Sequence, residues 1–284
     1  MTTATPVDRE FTTADGVTLV TRSFGDVAGA RLAVLLVHGW ARSAGYWDEV
    51  ATVLSGAYPV IAPALRMHEE SLLRRPVAVD VSIPLLVDDL AGLLDDLGVA
   101  RCIAIGHSMG GQVVTLLADR FPDRVAATVV LDPAYGAQPD EIAAWPVRRR
   151  EHVAEARRAF RQRHPDADDG LEQAYAAALE ALYDSEYLED HSIGAIDDTR
   201  PVLRRRSRPA LAVFASPAGA ATERDATADA AVRPDIVLWE ASGGHDFPAH
   251  HPEAVSRLIL DWLGGQPAGL VAGAARGSRN TAST

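Results

Sequence analysis

The sequence predicts an α/β protein with a doubly wound, mostly parallel sheet and helices on both of its faces. Short apolar runs alternate with amphipathic segments, which is the pattern of strands joined by crossover helices. Residues 31–37 and 125–131 are mostly apolar, as expected for strands buried on both faces. With 284 residues, 48% of them hydrophobic, the chain is long enough for one core of ordinary size, with or without a small appendage.

The predicted elements follow one another in a regular order. Asp15 and Gly16 form a turn pair between two β-prone runs, so the chain is predicted to open with a hairpin. Leucines at helical spacing predict a helix at 83–97, which Gly98 would end. The predicted strands are 11–13, 17–23, 31–37, 58–62, 101–105, 125–131, 210–215 and 236–240, and the other predicted helices are 44–54, 112–120 and 252–263.

One region interrupts this alternation. Residues 143–206 contain no convincing strand and are predicted to form several helices. Their apolar and aromatic content favours a lid over an apolar pocket, whereas a solvated helical hairpin would need fewer such residues. These residues are Trp145, Phe160, Tyr175, Leu179, Leu182, Tyr183 and Tyr187. We expect core segments at 10–135 and 208–263, a helical lid at 136–207 and a disordered tail at 264–284.

Composition restricts the class of partner. The net charge is −12 and the pI is about 5.2, which argues against nucleic acid or an anionic membrane. The one cysteine, Cys102, permits no intramolecular disulfide and is expected to be a small core residue. Neither a signal peptide nor a membrane span is indicated, so we expect a cytoplasmic protein that acts on a small molecule. Neither a metal nor a cofactor is predicted, and the oligomeric state is left open.

The most informative motif is Gly106-His107-Ser108-Met109-Gly110, which reads G-x-S-x-G. It lies between a β-prone run and a helical pattern, the setting of a nucleophile elbow. Such a turn exposes and aims the serine hydroxyl, and the glycines leave room for the neighbouring chain. His107 is expected to point away from the nucleophile. The alternative is a glycine-rich turn with an incidental serine.

Together with His38-Gly39-Trp40 after the strand at 31–37, this motif resembles the α/β-hydrolase superfamily over residues 10–263. The resemblance implies an α/β-hydrolase fold, with the lid inserted after the strand that follows the nucleophile helix. It also implies an oxyanion hole formed by the backbone N–H groups of Trp40 and Met109. His38 is expected to form structural hydrogen bonds rather than to act as a base. The residues predicted to surround the substrate are His38, Trp145, Tyr183, Tyr187 and Phe247.

The resemblance also implies a base and an acid. His245 follows the last predicted strand, where the superfamily carries its catalytic histidine. No carboxylate follows the penultimate strand until Glu223 and Asp225, whereas Asp132 directly follows the strand at 125–131. We therefore favour Asp132, about 2.6–3.2 Å from Nδ1 of His245. Asp225 and then Glu223 are the alternatives, and Asp132 could instead begin an ordinary Asp-Pro turn.

A Ser108–His245–Asp132 triad predicts hydrolysis of an ester or lactone, and the aromatic residues of the lid indicate an apolar, ring-containing substrate. Ser108 replaces the carboxylate nucleophile that the dehalogenase and epoxide-hydrolase branches need. Asp132 after the earlier strand, Ser216-Pro217 in place of the usual aspartate loop, and Phe247-Pro248 close behind His245 also resemble two smaller groups. These are the zearalenone-type lactone hydrolases and the cofactor-independent quinolone dioxygenases. The latter use a His–Asp pair as base, but have a histidine where this chain has Met109. A ligand receptor without enzymatic activity is the third hypothesis.

Overall fold

The computed structural model describes residues 5–74, 79–135, 151–184 (without 152, 156, 159 and 163) and 199–271. Its centre is an eight-stranded sheet with the strand order β1-β2-β4-β3-β5-β6-β7-β8. The strands are β1 Val7–Thr12, β2 Thr18–Phe24, β3 Ala33–Val37, β4 Val60–Pro63, β5 Cys102–His107, β6 Val125–Leu131, β7 Ala210–Phe214 and β8 Asp235–Leu238. The predicted mostly parallel α/β sheet is therefore confirmed.

The N-terminal hairpin is the antiparallel part of this sheet. β1 pairs with β2 from Val7 opposite Ser23 to Thr12 opposite Thr18, and β2 pairs antiparallel with β4. From β4 onward each neighbouring pair is parallel. The carboxyl ends of these strands therefore meet at one edge of the sheet, where α/β proteins bind their ligands.

Helices cover both faces of the sheet and bury its apolar strands. We number these α-helices along the chain as α1 Asp48–Leu54, α2 Glu69–Arg74, α3 Ile83–Asp96, α4 Met109–Arg120, α5 Asp169–Asp184, α6 Thr199–Arg204, α7 Pro217–Ala226, α8 Phe247–His250, α9 Pro252–Gly264 and α10 Ala268–Val271. Side chains of α3, α4 and α7 form one apolar cluster with the sheet. Those of α1, α9 and α10 form a second cluster. No helix among the described residues is long and apolar enough to cross a membrane.

Three local expectations need correction. The predicted helix at 44–54 is a 3-10 turn, Ala44–Trp47, followed by α1. The helices α2 and α7 were not predicted, because α2 is too brief to give a helical repeat and α7, rich in alanine, has no stripe of large apolar residues. The tail prediction was wrong for 268–271, because α10 docks through Val271, which is 4% exposed and accepts a hydrogen bond from the Tyr58 hydroxyl. Residues 272–284 lie outside the described residues.

Between β6 and β7 the described residues form helices and connecting turns, with no strand among them. We call the described helical residues between these two strands, 151–184 and 199–204, the helical insertion. Its Phe160 and Tyr175 stack with ring centroids 4.4 Å apart and pack with Met67 and Leu72, beside the loop that follows β3. The insertion is thus attached near the carboxyl edge of the sheet.

The loop after β4 is fixed by a buried guanidinium. Arg66, 1% exposed, donates two hydrogen bonds of 2.7 Å to Asp89 of α3 and two of 3.0 and 3.1 Å to Asp15 of the hairpin turn. Bidentate contacts of this kind fix orientation as well as distance. This network fixes the position of the adjacent residue, Leu65, which contacts the loop that follows β3.

Candidate active site

Backbone strain is concentrated at the carboxyl edge of the sheet. Within the described ranges, four residues other than glycine have a positive φ: Ala41 at 55°, Met67 at 62°, Ser108 at 53° and Asp132 at 43°. Each follows the end of one of four adjacent strands, β3, β4, β5 and β6. A positive φ is costly for a residue with a Cβ, and such residues cluster at functional sites. The strain therefore marks this edge as the candidate active site.

Ser108 occupies a sharp turn between β5 and α4, with φ 53° and ψ −121°. Its N–H donates to the carbonyl of Leu131 at 3.1 Å. Its own carbonyl accepts hydrogen bonds from the N–H groups of Gly111 and Ala134, at 2.9 and 3.1 Å. The turn is thus fixed by main-chain bonds on both sides, and α4 begins at Met109 with its N-terminus beside the serine.

Two glycines of the motif are required by close approach of the backbone. A Cβ built on Gly106 would collide with the carbonyl oxygen of Gly110. One built on Gly110 would collide with the carbonyl oxygen of Val37, at the end of β3. The motif therefore folds as a tight elbow because its flanking residues lack side chains.

Asp132 bridges two strands and the loop that follows a third. Its N–H donates to the carbonyl of Val213 at 2.7 Å, and its Oδ1 accepts from the N–H of Ala215 at 2.9 Å. Its Oδ2 lies 2.6 Å from Nδ1 of His245, at the distance expected from the sequence. Burial opposes ionisation, but the hydrogen bonds from His245 and Ala215 outweigh it and lower the pKa of Asp132 below its ordinary value.

His245 lies in a loop beyond the edge strand β8. Gly243 and Gly244 precede it with φ of 106° and 52°, and its side chain is 49% exposed. The loop re-enters the core at Phe247, whose ring is fully buried and stacks on Trp239 with centroids 4.8 Å apart. The prediction that Phe247 contacts the substrate was therefore wrong, since this ring is part of the core.

His38 holds the loop that follows β3. Its Nδ1 lies 2.8 Å from the carbonyl oxygen of Gly39, and its Nε2 accepts from the N–H of Leu65 at 3.0 Å. Because a carbonyl can only accept, the proton is on Nδ1 and the ring is neutral. Burial, then the nearby His68 ring, lower the pKa of His38 well below its ordinary value. The expected structural role is supported, but the predicted substrate contact was wrong because the ring is fully buried.

The hydrogen bonds to the Gly39 carbonyl also orient the peptide that joins Gly39 to Trp40. The carbonyl of Gly39 also accepts from the N–H of Arg42 at 3.2 Å. In a trans peptide the C=O and the following N–H point in opposite directions, so the N–H of Trp40 is directed away from those donors. A Cβ built on Gly39 would lie 3.0 Å from Cβ of Ser108. The peptide that carries the Trp40 N–H therefore runs directly past the serine.

The other predicted acids are engaged elsewhere or exposed. Glu223, fully buried in α7, forms an ion pair of 2.8 Å with Arg206. Asp225 is exposed on the same helix. Of the three candidates, Asp132 is the one placed against His245.

Three predicted pocket residues lie wholly or partly outside the described residues. Trp145 and Tyr187 are outside the described residues, and Tyr183 lies on α5 with a side chain that is also outside them. Met109 contributes a buried side chain to the core, so its main chain alone could contact a substrate. In the part of the chain described, no group of three His, Cys, Asp or Glu residues could hold a metal ion. Burial raises the pKa of the Cys102 thiol to about 12.

A group of contacts beside His245 was not predicted. The ring of His107 lies against that of His245, and its Nε2 is 2.8 Å from the His245 carbonyl oxygen. Arg42 forms an ion pair of 2.7 Å with Asp246. His107 and His245 are 138 positions apart, so no local pattern could have revealed the contact. The one available signal was the resemblance to the superfamily, in which the serine motif and the histidine loop follow each other in this order along the chain.

Comparisons with known proteins agree with this geometry. Residues 33–212 match the family model of the alpha/beta hydrolase fold. Lipase LipV of Mycobacterium tuberculosis is 29% identical over 273 residues, covering 87% of this chain and 98% of that protein. Epoxide hydrolase A of the same organism is 37% identical over 100 residues, covering 34% of this chain and 30% of that protein.

Solved structures show the same fold. A thermophilic esterase from Thermogutta terrifontis superposes with a TM-score of 0.64 at 24% identity, covering 92% of this chain and 98% of that one. The enol-lactonase from Burkholderia xenovorans superposes with a TM-score of 0.68 at 22% identity, covering 90% and 100%. The chain belongs to the α/β-hydrolase fold family and is a hydrolase of that type.

Proposed function

We propose that this α/β-hydrolase cleaves a carboxylic ester or lactone with Ser108 as nucleophile, His245 as general base and Asp132 as the acid that orients it. The observation that carries the proposal is the 2.6 Å contact between Nδ1 of His245 and Oδ2 of Asp132, at the sheet edge where Ser108 occupies its strained turn. The nearly full-length similarity to a lipase supports an ester as the substrate class. A serine at the elbow, in place of a carboxylate, argues against epoxide hydrolysis.

The proposed chemistry proceeds in two halves. Ser108 Oγ attacks the carbonyl carbon while Nε2 of His245 accepts its proton, and the Asp132 carboxylate stabilises the imidazolium that forms. His245 then returns the proton to the leaving alcohol, which stays attached to the acyl group if the substrate is a lactone. Water attacks the acyl-enzyme by the same route in reverse. The low pKa of Asp132 suits this role, because the group must stay ionised.

The oxyanion would be stabilised by two backbone donors. The N–H of Met109 stands at the N-terminus of α4, where the helix dipole favours negative charge. The N–H of Trp40 belongs to the peptide that passes Ser108, and its direction follows from the bonds to the Gly39 carbonyl. Two preorganised donors of this kind usually supply a large part of the catalysis in acyl transfer.

We further propose that the helical insertion is a lid and that the substrate is apolar. The stacked pair Phe160 and Tyr175 packs in a cluster that also touches Trp40 and Ala41. The insertion is thus anchored beside the proposed oxyanion loop. These two aromatic residues attach the insertion to α2. The proposal that the substrate contains a ring therefore rests on the other predicted aromatic residues, Trp145, Tyr183 and Tyr187.

The test is hydrolysis of p-nitrophenyl butyrate and a panel of simple lactones by wild type, Ser108→Ala and a control, Ser55→Ala. Ser55 caps the end of α1 and lies outside the site. We expect Ser108→Ala to lose at least about 10³-fold in kcat while keeping its circular dichroism spectrum, and Ser55→Ala to match wild type. Near-wild-type turnover by Ser108→Ala would refute the proposal. Oxygen uptake with a hydroxyquinolone that survives Ser108→Ala would instead support the dioxygenase hypothesis.

A further inference from the structure

His107 occupies the unspecified position of the G-x-S-x-G motif, immediately before the serine. It ends β5 and is fully buried. One face of its ring stacks on Tyr46, with centroids 5.2 Å apart and planes inclined by 16°. The His245 ring lies 4.6 Å away at 42°, and Nε2 of His107 is 2.8 Å from the carbonyl oxygen of His245. The imidazole of His107 therefore lies between the 3-10 turn after β3 and the loop that carries His245.

The chemistry of this contact fixes the tautomer of His107. A carbonyl oxygen can only accept, so the proton of the ring must be on Nε2. Nδ1 is buried, and no hydrogen-bond partner for it lies in the described part of the chain. Burial, then the nearby His245, lower the pKa of His107 to about 4, so the ring is neutral near pH 7. A neutral ring can make this hydrogen bond without placing a second positive charge beside the imidazolium that His245 would form.

His245 lies in a short 3-10 turn, Gly244–Asp246, that is joined to the rest of the fold by side-chain contacts. The His245 side chain is half exposed, and the loop follows an edge strand and two glycines with positive φ. Asp132 bonds to the imidazole itself, and Arg42 bonds to the neighbouring Asp246 at 2.7 Å. The bond from His107, in contrast, is a side-chain contact to the main chain of His245 itself. A misplacement of about 1 Å at such a residue can cost about 10²-fold in rate.

We propose that His107 is a positioning residue, which holds the main chain of His245 through its Nε2–H and so keeps the imidazole between Ser108 and Asp132. The inference rests on the proposed hydrolase function. It adds a role for a motif position that the G-x-S-x-G signature leaves unspecified.

The variants are a matched amide pair, His107→Gln and His107→Asn, together with His107→Phe. The glutamine amide nitrogen reaches about as far as Nε2 and preserves the donor, whereas the asparagine amide is too short. Phenylalanine keeps the stacking on Tyr46 but has no donor. We expect kcat for p-nitrophenyl butyrate to fall roughly ten- to hundred-fold in His107→Asn and His107→Phe, with KM within about threefold, and His107→Gln to stay within about fivefold of wild type.

The second readout is the low-field proton NMR signal of the hydrogen bond between Nδ1 of His245 and Asp132. It should persist in wild type and His107→Gln, and broaden or disappear in His107→Asn and His107→Phe. Wild-type kcat and an unchanged signal in both of the latter variants would overturn the proposal. If wild type hydrolyses no ester, the proposed function fails, and the NMR comparison alone still decides the role of His107.

A third measurement needs no variant. In the wild-type protein with ¹⁵N-labelled histidine, the His107 ring should carry its proton on Nε2 near neutral pH. A proton on Nδ1 instead would make Nε2 an acceptor facing a carbonyl. That result would overturn the proposal even if the variants fail to fold.

Discussion

Ser108 and Asp132 follow the neighbouring central strands β5 and β6, whereas His245 follows β8 at the edge of the sheet. The first two residues are fixed by main-chain bonds, from Ser108 N–H to Leu131 and from Asp132 N–H to Val213. His245 is half exposed and is held by the side chains of Asp132 and His107. The register of the strands thus sets one half of the site, and side-chain contacts set the other.

The largest expected effect comes from filling the space around the elbow. In Gly110→Ala the new methyl group would collide with the carbonyl oxygen of Val37, so β3 and the first turn of α4 could not keep their places. We expect a loss of at least about 4 kcal/mol in the free energy of unfolding, or failure to fold. Urea denaturation followed by tryptophan fluorescence measures it.

The matched control is Gly244→Ala, in the loop that carries His245. A Cβ there would meet nothing within 4 Å, although φ is +52°. We expect a cost of only about 1–2 kcal/mol, from backbone strain alone. Equal losses of unfolding free energy in the two variants would contradict the account. In that account strand register fixes one half of the active site and side-chain contacts fix the other.

A smaller but still large effect, on kcat, is expected from Asp132, whose side chain joins the two halves of the site. Asp132→Asn keeps the shape of the side chain but removes the charge that would stabilise the His245 imidazolium. We expect kcat to fall about 10²–10⁴-fold. Steady-state kinetics with p-nitrophenyl butyrate measures the effect.

Two other carboxylates serve as controls for Asp132. Asp225→Asn and Glu223→Gln should each stay within roughly tenfold of wild type in kcat. Glu223→Gln should also lower stability, because it removes the charge that faces the buried Arg206. If either control variant falls as far as Asp132→Asn, the assignment of the acid is wrong.

The last effect is a pH dependence of stability that comes from the buried histidines beneath the site. The pKa values of His68 and His107 are lowered to about 4 from the ordinary 6.5, in both cases by burial first. Well above pH 6.5 both rings are neutral whether the chain is folded or unfolded. Between pH 6.5 and 4 the unfolded chain binds protons that the folded chain does not, so the free energy of unfolding falls as the pH is lowered.

We expect a loss of up to about 3 kcal/mol for each histidine across that window, measured by urea denaturation at several pH values. His68→Asn is the control, because its amide can still donate to the carbonyl of Arg66 but does not titrate. This variant should lose less stability than wild type between pH 7 and 4. An unchanged pH dependence would show that His68 is not neutral in the fold.

The sequence predicted the residues that local patterns and chain order determine. Ser108, Asp132 and His245 each follow a strand, and the parallel topology brings them to one edge, while their catalytic roles stay a proposal. The prediction failed where tertiary burial decides the role of a residue. His38 and Phe247 are fully buried, which no local pattern distinguishes from lining a pocket. His107 and His245 meet only after β5 and the loop beyond β8 are both in place.

The central claim is that Ser108 is an activated nucleophile, and covalent labelling tests it most directly. Wild type, Ser108→Ala and Ser55→Ala are incubated with a fluorophosphonate, and the adduct is located by peptide mass mapping. We predict one phosphonyl group per chain, on Ser108, in wild type and Ser55→Ala, and none in Ser108→Ala. An adduct on a different residue, or no adduct in an enzyme that hydrolyses the ester, would contradict the account.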